Sequence, residues 1–404
     1  MKKGWEYSTI GDLCDKMNGL WKGKIGPFIN IGVIRNANFT KAFTLSFDNI
    51  EYLDVEAKQY KTRKLQKGDL IVEKSGGSEK QPVGRTVLFD KEDGEYSFSN
   101  FTSVLRIKDR SVITPEFLYK YILFVYLRGD TRKMQKATTG IHNIEFDKFL
   151  SIPVPRLSLA EQQSIVSYLD AAFAKIDAMK ANAEKALSEA KALFQASLKE
   201  LLTPKKGWEE KKLGEIAEDS ADGPFGSNLK KEHYTTNKEV RIIQLSNIGE
   251  DGWREENTKY TTFEHLKNIS RSEVQPNDIV IAKMMPAGRA ILCPSHEKKF
   301  VLSSDAVKIK LKKGLITRFI LHSINSPYFR KEVYENVTGS GRVRTSLTKL
   351  RECSIFLPTK EEQNNIVSTL DSLKSKVDRL QANYEKISAE CDALKQAILK
   401  QVFE

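Results

Sequence analysis

Apolar residues recur along two stretches of the chain at steps that alternate between four and three. The first stretch carries Ile165, Leu169, Ala172, Ile176 and Met179. Such spacing, held over more than three heptads, predicts a long helix with one apolar seam. The second stretch repeats the pattern 201 positions later, with Ile366, Leu370, Leu373, Val377 and Leu380. We therefore expect two long helices that pair with each other along these seams.

Both helices have a predicted start. Ser158 is followed three residues later by Glu161, and Thr359 is followed three residues later by Glu362. This is the pattern of a capping box, in which the two side chains satisfy backbone groups at the helix N-terminus. A proline precedes each box and favours extended chain before it.

The helices belong to a larger unit that the chain contains twice. EQQSIVSYLD, beginning at Glu161, returns as EQNNIVSTLD, beginning at Glu362. GWE occurs at Gly4 and again at Gly207, and GRTVLF at Gly84 resembles GRAILC at Gly288. The order is the same in both halves, which indicates an internal duplication.

Each half combines strand and helix patterns. Alternating, β-branched segments bounded by glycine predict strands, whereas YILFVYL, Tyr121–Leu127, predicts a buried core helix because it is too short to span a membrane. The sequence thus predicts an α+β protein with two similar mixed α/β globular domains and two long helices. The expected boundaries are residues 1–155, 156–204, 205–358 and 359–404.

The charge distribution indicates the kind of partner. The chain has a formal net charge of +12, yet residues 161–200 contain five lysines and six acidic residues, and residues 360–404 contain seven basic and eight acidic residues. The helices are nearly neutral, so the excess positive charge lies in the globular halves. This distribution favours domains that bind a phosphate backbone, although a solvated basic surface is the simpler alternative.

Polar and basic stretches supply candidate DNA contacts, because Arg and Lys match guanine edges and Asn and Gln match adenine edges. Glycines beside them would allow backbone amides to approach a phosphate. The candidates in the first half are Arg35, Asn36, Asn38, Lys74, Ser75, Ser78, Lys80, Gln81, Arg85, Lys136, Thr138, Thr139, His142 and Asn143. Those in the second half are Ser227, Asn228, Lys230, Lys231, Arg241, Gln244, Lys283, Arg289, Arg342, Arg344, Thr345 and Lys349.

Motifs of catalysis are missing from the sequence. It contains no phosphate-binding P-loop, no dinucleotide-binding glycine pattern and no Asn-Pro-Pro-aromatic tetrad for methylation of a base amino group. The four cysteines and five histidines are scattered without metal-ligand spacing. We therefore expect a protein without catalytic residues, metal or cofactor of its own. With no apolar stretch behind its first lysines, it is expected to be cytoplasmic and not bound to a membrane.

The repeated EQ helices, the GWE openings, GPFGSNLKK and EKSGGS with VGR resemble the specificity (S, or HsdS) subunits of Type I restriction-modification systems. The resemblance covers essentially the whole chain. It implies two target recognition domains, each reading half of a split double-stranded DNA site. It also implies an antiparallel coiled coil in a pseudo-twofold arrangement, which sets the gap between the half-sites and binds two modification (methyltransferase) subunits.

The same resemblance implies where the cofactors are bound. S-adenosylmethionine would be bound by the modification subunits, while ATP and Mg would serve a restriction subunit if one is present. Two other functions are consistent with the residues themselves: a self-sufficient DNA methyltransferase or nuclease with unfamiliar motifs, and a non-catalytic coiled-coil scaffold whose basic surface is incidental.

Overall fold

The computed structural model describes residues 4–21, 23–138, 140–335 and 344–404. The chain divides into two compact units. The first unit comprises Met1–Asn182 together with Glu385–Glu404, and the second comprises Ala183–Tyr384. Both boundaries fall inside long helices, so each unit consists of one globular domain and parts of two helices.

The strands of the first unit are short and together form four small sheets. Their bounds are β1 (Glu6–Thr9), β2 (Cys14–Asn18), β3 (Phe28–Ile34), β4 (Glu51–Glu56), β5 (Leu70–Glu73), β6 (Ser75–Gly77), β7 (Thr86–Leu88), β8 (Tyr96–Phe98), β9 (Thr102–Ile107), β10 (Gln135–Thr138), β11 (Ile141–Ile144) and β12 (Pro153–Arg156). The helices of this domain are α1 (Ile10–Leu13), α2 (Ala57–Arg63), α3 (Pro115–Leu127) and α4 (Phe146–Leu150).

A long helix, α5 (Leu159–Leu201), follows this domain and leads into the second unit. The strands there are β13 (Glu209–Lys212), β14 (Ala217–Asp222), β15 (Tyr234–Thr235), β16 (Val240–Ile243), β17 (Ile248–Gly249), β18 (Gly252–Trp253), β19 (Tyr260–Thr261), β20 (Glu273–Val274), β21 (Ile279–Ala282), β22 (Ala290–Leu292), β23 (Phe300–Leu302), β24 (Ala306–Leu311) and β25 (Ser354–Leu357). The helices are α6 (Leu213–Ile216), α7 (Phe263–Asn268), α8 (Thr317–Asn325), α9 (Pro327–Glu335), α10 (Leu347–Glu352) and the terminal α11 (Lys360–Phe403).

The duplication is visible in the order of the strands. The central antiparallel sheet has the order β2-β9-β5-β7 in the first unit and β14-β24-β21-β22 in the second. A parallel pair accompanies each sheet, β3 with β8 and β16 with β23. The strand that opens each domain pairs with the one that precedes the long helix, β1 with β12 and β13 with β25. Each repeat therefore folds as its own domain with the same topology.

Helix α3 contains the apolar segment predicted to be buried. Phe117, Leu118 and Ile122 are fully enclosed in the core of the first unit. Phe403, near the end of α11, belongs to the same core, with its ring 5.2 Å from the ring of Tyr121 and 5.4 Å from that of Phe124. The end of the chain thus completes the core of the first domain.

The capping signals agree with the helix starts. The Ser158 backbone N–H donates to Oε2 of Glu161 at 2.9 Å, and the Glu161 N–H donates to the Ser158 hydroxyl at 3.3 Å. At α11 the Glu362 N–H donates to the Thr359 hydroxyl, also at 3.3 Å. These bonds satisfy amides that have no partner inside the helix.

The two long helices pair in opposite directions within each unit. In the first unit, Nζ of Lys395 lies 2.6 Å from Oδ1 of Asp177, and Nζ of Lys180 lies 3.4 Å from Oδ1 of Asp392. Residue numbers increase along α5 while those of the contacted residues decrease along α11, so the two helices are antiparallel. In the second unit, Nζ of Lys191 donates to Oε1 of Gln381 at 2.8 Å.

The seam of α5 differs from the predicted one at every second position. Leu169 and Ile176 are buried as expected, but Met179 is 56% exposed, and Ala172 is only partly covered. Phe173 and Leu187 are buried instead. Counted from Leu169, the observed seam advances by four residues to Phe173 and then by three to Ile176, whereas the predicted seam advanced by three and then by four. Both seams repeat every seven residues, so the period alone does not distinguish them. Alanines next to the seam are compatible with either choice, which is why the sequence did not decide between the two. Along α11, the predicted residues Ile366, Leu370, Leu373, Val377 and Leu380 are buried or half-buried, and the predicted Ile165 of α5 is half-buried.

Candidate nucleic-acid interface

The first domain has an open cleft of about 770 Å³ beside the β3–β4 pair. Trp21, Tyr52 and Phe101 line it with aromatic rings, and Asn30 and Asn36 add amides. Among the described residues, its charged lining groups are one cation, Arg35, and two carboxylates, Glu51 and Asp54. Aromatic rings, amides and carboxylates are groups that contact bases rather than phosphates.

The turn after β3 positions two of the predicted contacts at this cleft. The Arg35 backbone N–H donates to Oδ1 of Asn38 at 2.9 Å, which closes the turn, and the Arg35 guanidinium pairs with Glu51. The Asn36 amide donates to the carbonyl oxygen of Ser75 at 2.6 Å. Its side-chain oxygen is buried and has no hydrogen-bond partner among the described residues. The Asn36 side chain is thus held at the edge of the cleft by its bond to Ser75.

A three-stranded sheet, β10-β11-β6, brings together two candidate stretches that are distant in sequence. His142 pairs with Gly77, and Asn143 pairs with Ser75. Ser78, Lys80 and Gln81 are exposed on the following turn, in which the Gln81 N–H donates to the Ser78 hydroxyl at 3.1 Å. Lys136 is exposed and pairs with Glu145 at 3.2 Å. Thr138 ends β10, and Thr139 lies outside the described residues.

Two basic candidates of the first domain are less available. Lys74 is partly covered, and burial together with nearby Lys16 lowers the pKa of its ammonium group. Arg85 donates two hydrogen bonds to the buried carboxylate of Glu73, at 2.7 and 3.0 Å. Burial works against the charged guanidinium, but these bonds outweigh it and raise the pKa of Arg85. Its charge is thereby neutralised within the fold.

The second domain has a cleft of about 620 Å³ at the end of β14. Phe225 is its aromatic residue, and Lys283, Arg344 and Lys349 are its described cations. Asp222 is the carboxylate among the described lining residues. This cleft therefore has a positive balance, which suits a phosphate group.

Hydrogen bonds fix the floor of the second cleft. Lys283 is 6% exposed, and its Nζ lies 2.6 Å from Oδ1 of Asp222. The Thr345 backbone N–H donates to the carbonyl oxygen of Lys283 at 2.9 Å. The Thr345 hydroxyl is buried and has no partner among the described residues. Arg344 is half exposed, with a guanidinium nitrogen 3.4 Å from Oδ1 of Asp305.

The remaining candidates of the second domain are dispersed. Ser227, Asn228, Lys230 and Lys231 are exposed in the loop after the cleft. The Gln244 backbone N–H donates to Oδ1 of Asn247 at 2.8 Å, which repeats the turn formed by Arg35 and Asn38. Arg289 is half-buried and donates to the carbonyl oxygen of Leu245, and burial lowers the pKa of its guanidinium. Arg342 lies outside the described residues.

Arg241 and Asn38 occupy positions that exclude direct contact with DNA. The Arg241 side chain is fully buried, lies between the rings of Trp253 and Tyr260 and donates to Glu255 at 3.1 Å. Asn38 is 2% exposed and accepts the bond that closes its own turn. Both were predicted as DNA contacts. Residues close in space but not in sequence enclose Arg241, and the geometry of the turn encloses Asn38.

Trp21 and Phe225 are cleft residues that were not predicted. Each follows a glycine at the same position in its repeat, in NGLW and DGPF. A Cβ atom at Gly19 would lie 1.8 Å from the carbonyl oxygen of Ser99, and one at Gly223 would lie 1.7 Å from that of Ser303. Only glycine allows this approach of backbone to backbone. The recurrence of glycine before an exposed aromatic residue in both repeats was the available signal.

Within residues 4–335 and 344–404, apart from 22 and 139, no group of three or more His, Cys, Asp or Glu side chains could hold a metal ion. In the same described segments, no helix combines the length and apolar character needed to cross a bilayer. The four cysteines are buried, and burial raises the pKa of the Cys14, Cys293 and Cys353 thiols to about 12. The clefts are therefore the candidate sites.

A duplicated α+β domain on paired long helices, with an aromatic residue in a cleft of each domain, is the architecture that the sequence resemblance implied for a DNA specificity subunit. The chain belongs to the Type I restriction modification DNA specificity domain family, whose model matches residues 2–188 and again 205–389. These matches cover both repeats and most of each long helix.

Curated relatives carry the same description. The chain is 24% identical over 395 residues to the Type I restriction enzyme StySPI specificity subunit of Salmonella potsdam, covering 93% of this chain and 81% of that protein. It is 22% identical over 303 residues to the MjaVIII specificity subunit of Methanocaldococcus jannaschii, covering 71% and 70%. Neither the self-sufficient enzyme nor the incidental scaffold gains support from these relatives.

Solved structures show the same fold. A chain of a type I R-M system, described in work on its complex assembly and conformational transition, aligns over 100% of this chain and 98% of its own length, with a TM-score of 0.75 and 17% identity. The HsdS subunit from Thermoanaerobacter tengcongensis aligns over 100% and 97%, with a TM-score of 0.52 and 18% identity.

Proposed function

We propose that this chain gives a Type I restriction-modification complex its DNA sequence specificity, with each domain reading one half of a split target. The observation that carries this proposal is the recurrence of one central sheet order in both units, with an exposed aromatic residue in a cleft at the same position of each repeat. The described charged groups of the clefts differ, with one cation and two carboxylates in the first and three cations and one carboxylate in the second. Two such clefts would recognise different half-sites.

The first cleft has the groups for direct reading of base edges. The Asn30 amide would match the donor and acceptor pair of adenine, Arg35 would match guanine, and a carboxylate would accept from the cytosine amino group. The second cleft combines Thr345 with the cations Arg344 and Lys349. It would hold the backbone more strongly and read bases through fewer side chains.

The long helices would set the distance between the half-sites and bind two modification subunits, one for each repeat. S-adenosylmethionine would be bound by those subunits, and a restriction subunit, where one is present, would use ATP and Mg. The complex would act in the cytoplasm, where the DNA is. Near neutrality of the helices suits a protein-binding surface better than a DNA-binding one.

The test of the reading role exchanges residues 1–155 for the corresponding domain of another specificity subunit, with coexpression of the modification subunits. Methylated sites are then mapped by sequencing genomic DNA. The expected result is a change in one half of the methylated sequence and no change in the other. A change in both halves, or in neither, would contradict the assignment of one half-site to each domain.

The spacer role has a separate test. Seven residues, one heptad, are inserted into α5 after Asn182 and into α11 after Tyr384, which keeps the pairing phase of both helices. One heptad adds about 10 Å, or about three base pairs at 3.4 Å each. The methylated site should keep its two half-sequences while the gap widens. An unchanged gap in an active complex would exclude the spacer role.

A further inference from the structure

The two exposed aromatic residues Trp21 and Phe225 have a common structural position. Each lies three residues after the end of an edge strand of the central sheet, Trp21 after β2 and Phe225 after β14. The first residue after each strand is a glycine packed against backbone, Gly19 against Ser99 and Gly223 against Ser303. Trp21 is 67% exposed and Phe225 is 81% exposed. Exposing a large ring in this way forgoes the burial that aromatic side chains usually obtain.

Backbone hydrogen bonds fix the segments that carry both rings. The Leu20 N–H donates to the carbonyl oxygen of Phe98 at 2.8 Å, and the Gly223 N–H donates to that of Ala306 at 2.9 Å. The Phe225 carbonyl accepts from the Asn228 N–H at 2.7 Å, which closes the loop that follows. Each ring is therefore carried on a segment whose backbone is tied to the sheet, which limits the backbone entropy lost when the ring binds a partner.

The surroundings of the rings identify the partner by its chemistry. Phe225 shares its cleft with Lys283, Arg344 and Lys349, so a flat apolar ring stands beside cations. Trp21 shares its cleft with Arg35 and with the amide side chains of Asn30 and Asn36. A hydrophobic protein partner would not complement these charges, whereas DNA offers flat apolar bases beside anionic phosphates.

We propose that Trp21 and Phe225 are aromatic wedges that stack on bases of the DNA target, one in each half-site. This inference rests on the proposed function and deepens it. Apolar side chains that enter a base step unstack it partially and kink the duplex. The wedge contributes to recognition through the ease with which a given step is opened, in addition to hydrogen bonds at base edges.

The experiment uses the full-length chain with its modification subunits and a duplex carrying the methylated sequence identified by genome sequencing. W21A and F225A are compared with W21F and F225W, which keep a ring. F263A is the matched control, because Phe263 is 39% exposed on α7, lines neither cleft and lies outside the long helices. Affinity is measured over a range of salt concentrations, and 2-aminopurine in either half-site reports unstacking.

The alanine variants should each weaken specific binding by about 5- to 150-fold, the range expected for loss of one stacked base. The slope of affinity against salt should stay unchanged, because no phosphate contact is lost. W21A should abolish the 2-aminopurine signal in one half-site and F225A in the other, while the ring-keeping variants retain it. F263A should behave as the unmodified chain does.

Alanine variants that bind and unstack DNA like the unmodified chain would contradict the proposal that these rings act as wedges. So would equal losses for W21A and W21F, because they would indicate a role specific to the indole rather than stacking. Failure of the unmodified complex to distinguish its target from a scrambled duplex would instead overturn the proposed function. Thermal unfolding of each variant, followed by circular dichroism, identifies any loss of binding caused by misfolding.

Discussion

Nζ of Lys283 lies 2.6 Å from Oδ1 of Asp222, on the floor of the second cleft. The Lys283 side chain is 8% exposed and the Asp222 side chain 40%, so the carboxylate reaches the open cleft while the ammonium group lies beneath it. The pair contributes no net charge. Arg344 and Lys349 then supply the positive charge of this cleft.

The first prediction concerns this pair. K283A leaves the Asp222 carboxylate uncompensated where we expect a phosphate, so DNA affinity should fall by about tenfold or more. The double variant K283A/D222N removes both charges and should recover most of the loss. Fluorescence anisotropy with a labelled target duplex measures both.

K299A is the control for K283A, because Lys299 forms an ion pair with Glu273 away from the cleft. Its affinity should stay within about twofold of the unmodified chain, as is usual for exposed pairs. If K283A and the double variant bound equally weakly, the lysine itself would be required and charge balance would not explain the site.

The second prediction concerns the glutamine of the repeated EQ motif. Gln162 is 1% exposed, accepts from the Thr114 N–H at 2.9 Å and donates to the carbonyl oxygens of Val112 and Leu157, both at 2.9 Å. Q162A would leave these buried groups without partners and should lower the free energy of unfolding by about 1–3 kcal/mol. Chemical denaturation measures the change.

Its neighbour provides the matched control. Gln163 is exposed and donates only to Ser167 at 3.2 Å among the described contacts. Q163A should change the free energy of unfolding by less than about 0.5 kcal/mol. Equal effects of Q162A and Q163A would show that helix propensity, and not the attachment of α5 to the domain, determines the cost.

The third prediction concerns the end of α11. Phe403 contacts the rings of Phe117, Tyr121 and Phe124 in the core of the first unit. F403A should cost about 3–5 kcal/mol, because it removes a buried ring and leaves a cavity. The loss should appear in the unfolding of the first domain, monitored by hydrogen exchange of α3.

Leu394, on the same helix, is 46% exposed, so L394A should leave that exchange nearly unchanged. Faster exchange in both variants would point to α11 as a whole, rather than to the aromatic cluster.

The fourth prediction tests the heptad phase of α5. Met179 is 56% exposed, whereas Leu187 is 6% exposed in the seam. L187A should cost about 2–5 kcal/mol, and M179A should change stability by about 0.5 kcal/mol or less. Thermal melting of the two variants compares them directly. The opposite order would restore the phase predicted from the sequence.

The fifth prediction concerns pH. Burial lowers the pKa of His322, although Nε2 of His322 lies 2.8 Å from Oδ1 of Asp371. Arg318 already neutralises this carboxylate, with its Nε 2.6 Å from Oδ2. Burial tends to raise the pKa of Asp371, but hydrogen bonds from Arg318 and His322 outweigh it and lower the pKa. The folded state thus favours neutral His322.

The contribution of His322 to stability is therefore complete above about pH 6.5, the unfolded value, and is lost as pH falls toward the lower folded value. H322Q should flatten the pH dependence of unfolding between about pH 5 and pH 7. Chemical denaturation at each pH measures this slope. A slope unchanged by H322Q would assign that part of the pH dependence to other groups.

The duplication and the long helices could be predicted from the sequence because both are carried by local patterns. Helix caps, heptad spacing and strand alternation depend on residues within a few positions of each other. The start of α5 at Leu159 and that of α11 at Lys360 follow from the bonds made by Ser158 and Thr359. Because the helix pattern recurs 201 residues later, the sequence also indicated that the same element occurs in both halves of the chain.

The interface was harder to predict, because its composition depends on residues that folding brings together. Arg241 resembled a DNA contact until Glu255, Trp253 and Tyr260 enclosed it. Exposure of Trp21 and Phe225 could not be inferred from hydrophobicity, which predicts burial of both rings.

The sequence by itself determined that this protein has two copies of an α+β domain, each with a long and nearly neutral helix, because periodicity and repetition are properties of the chain alone. Only the tertiary structure decided which cations remain available and which aromatic rings line the clefts. The reason is that burial and charge pairing depend on neighbours in space, and a heptad permits two phases until a partner helix selects one.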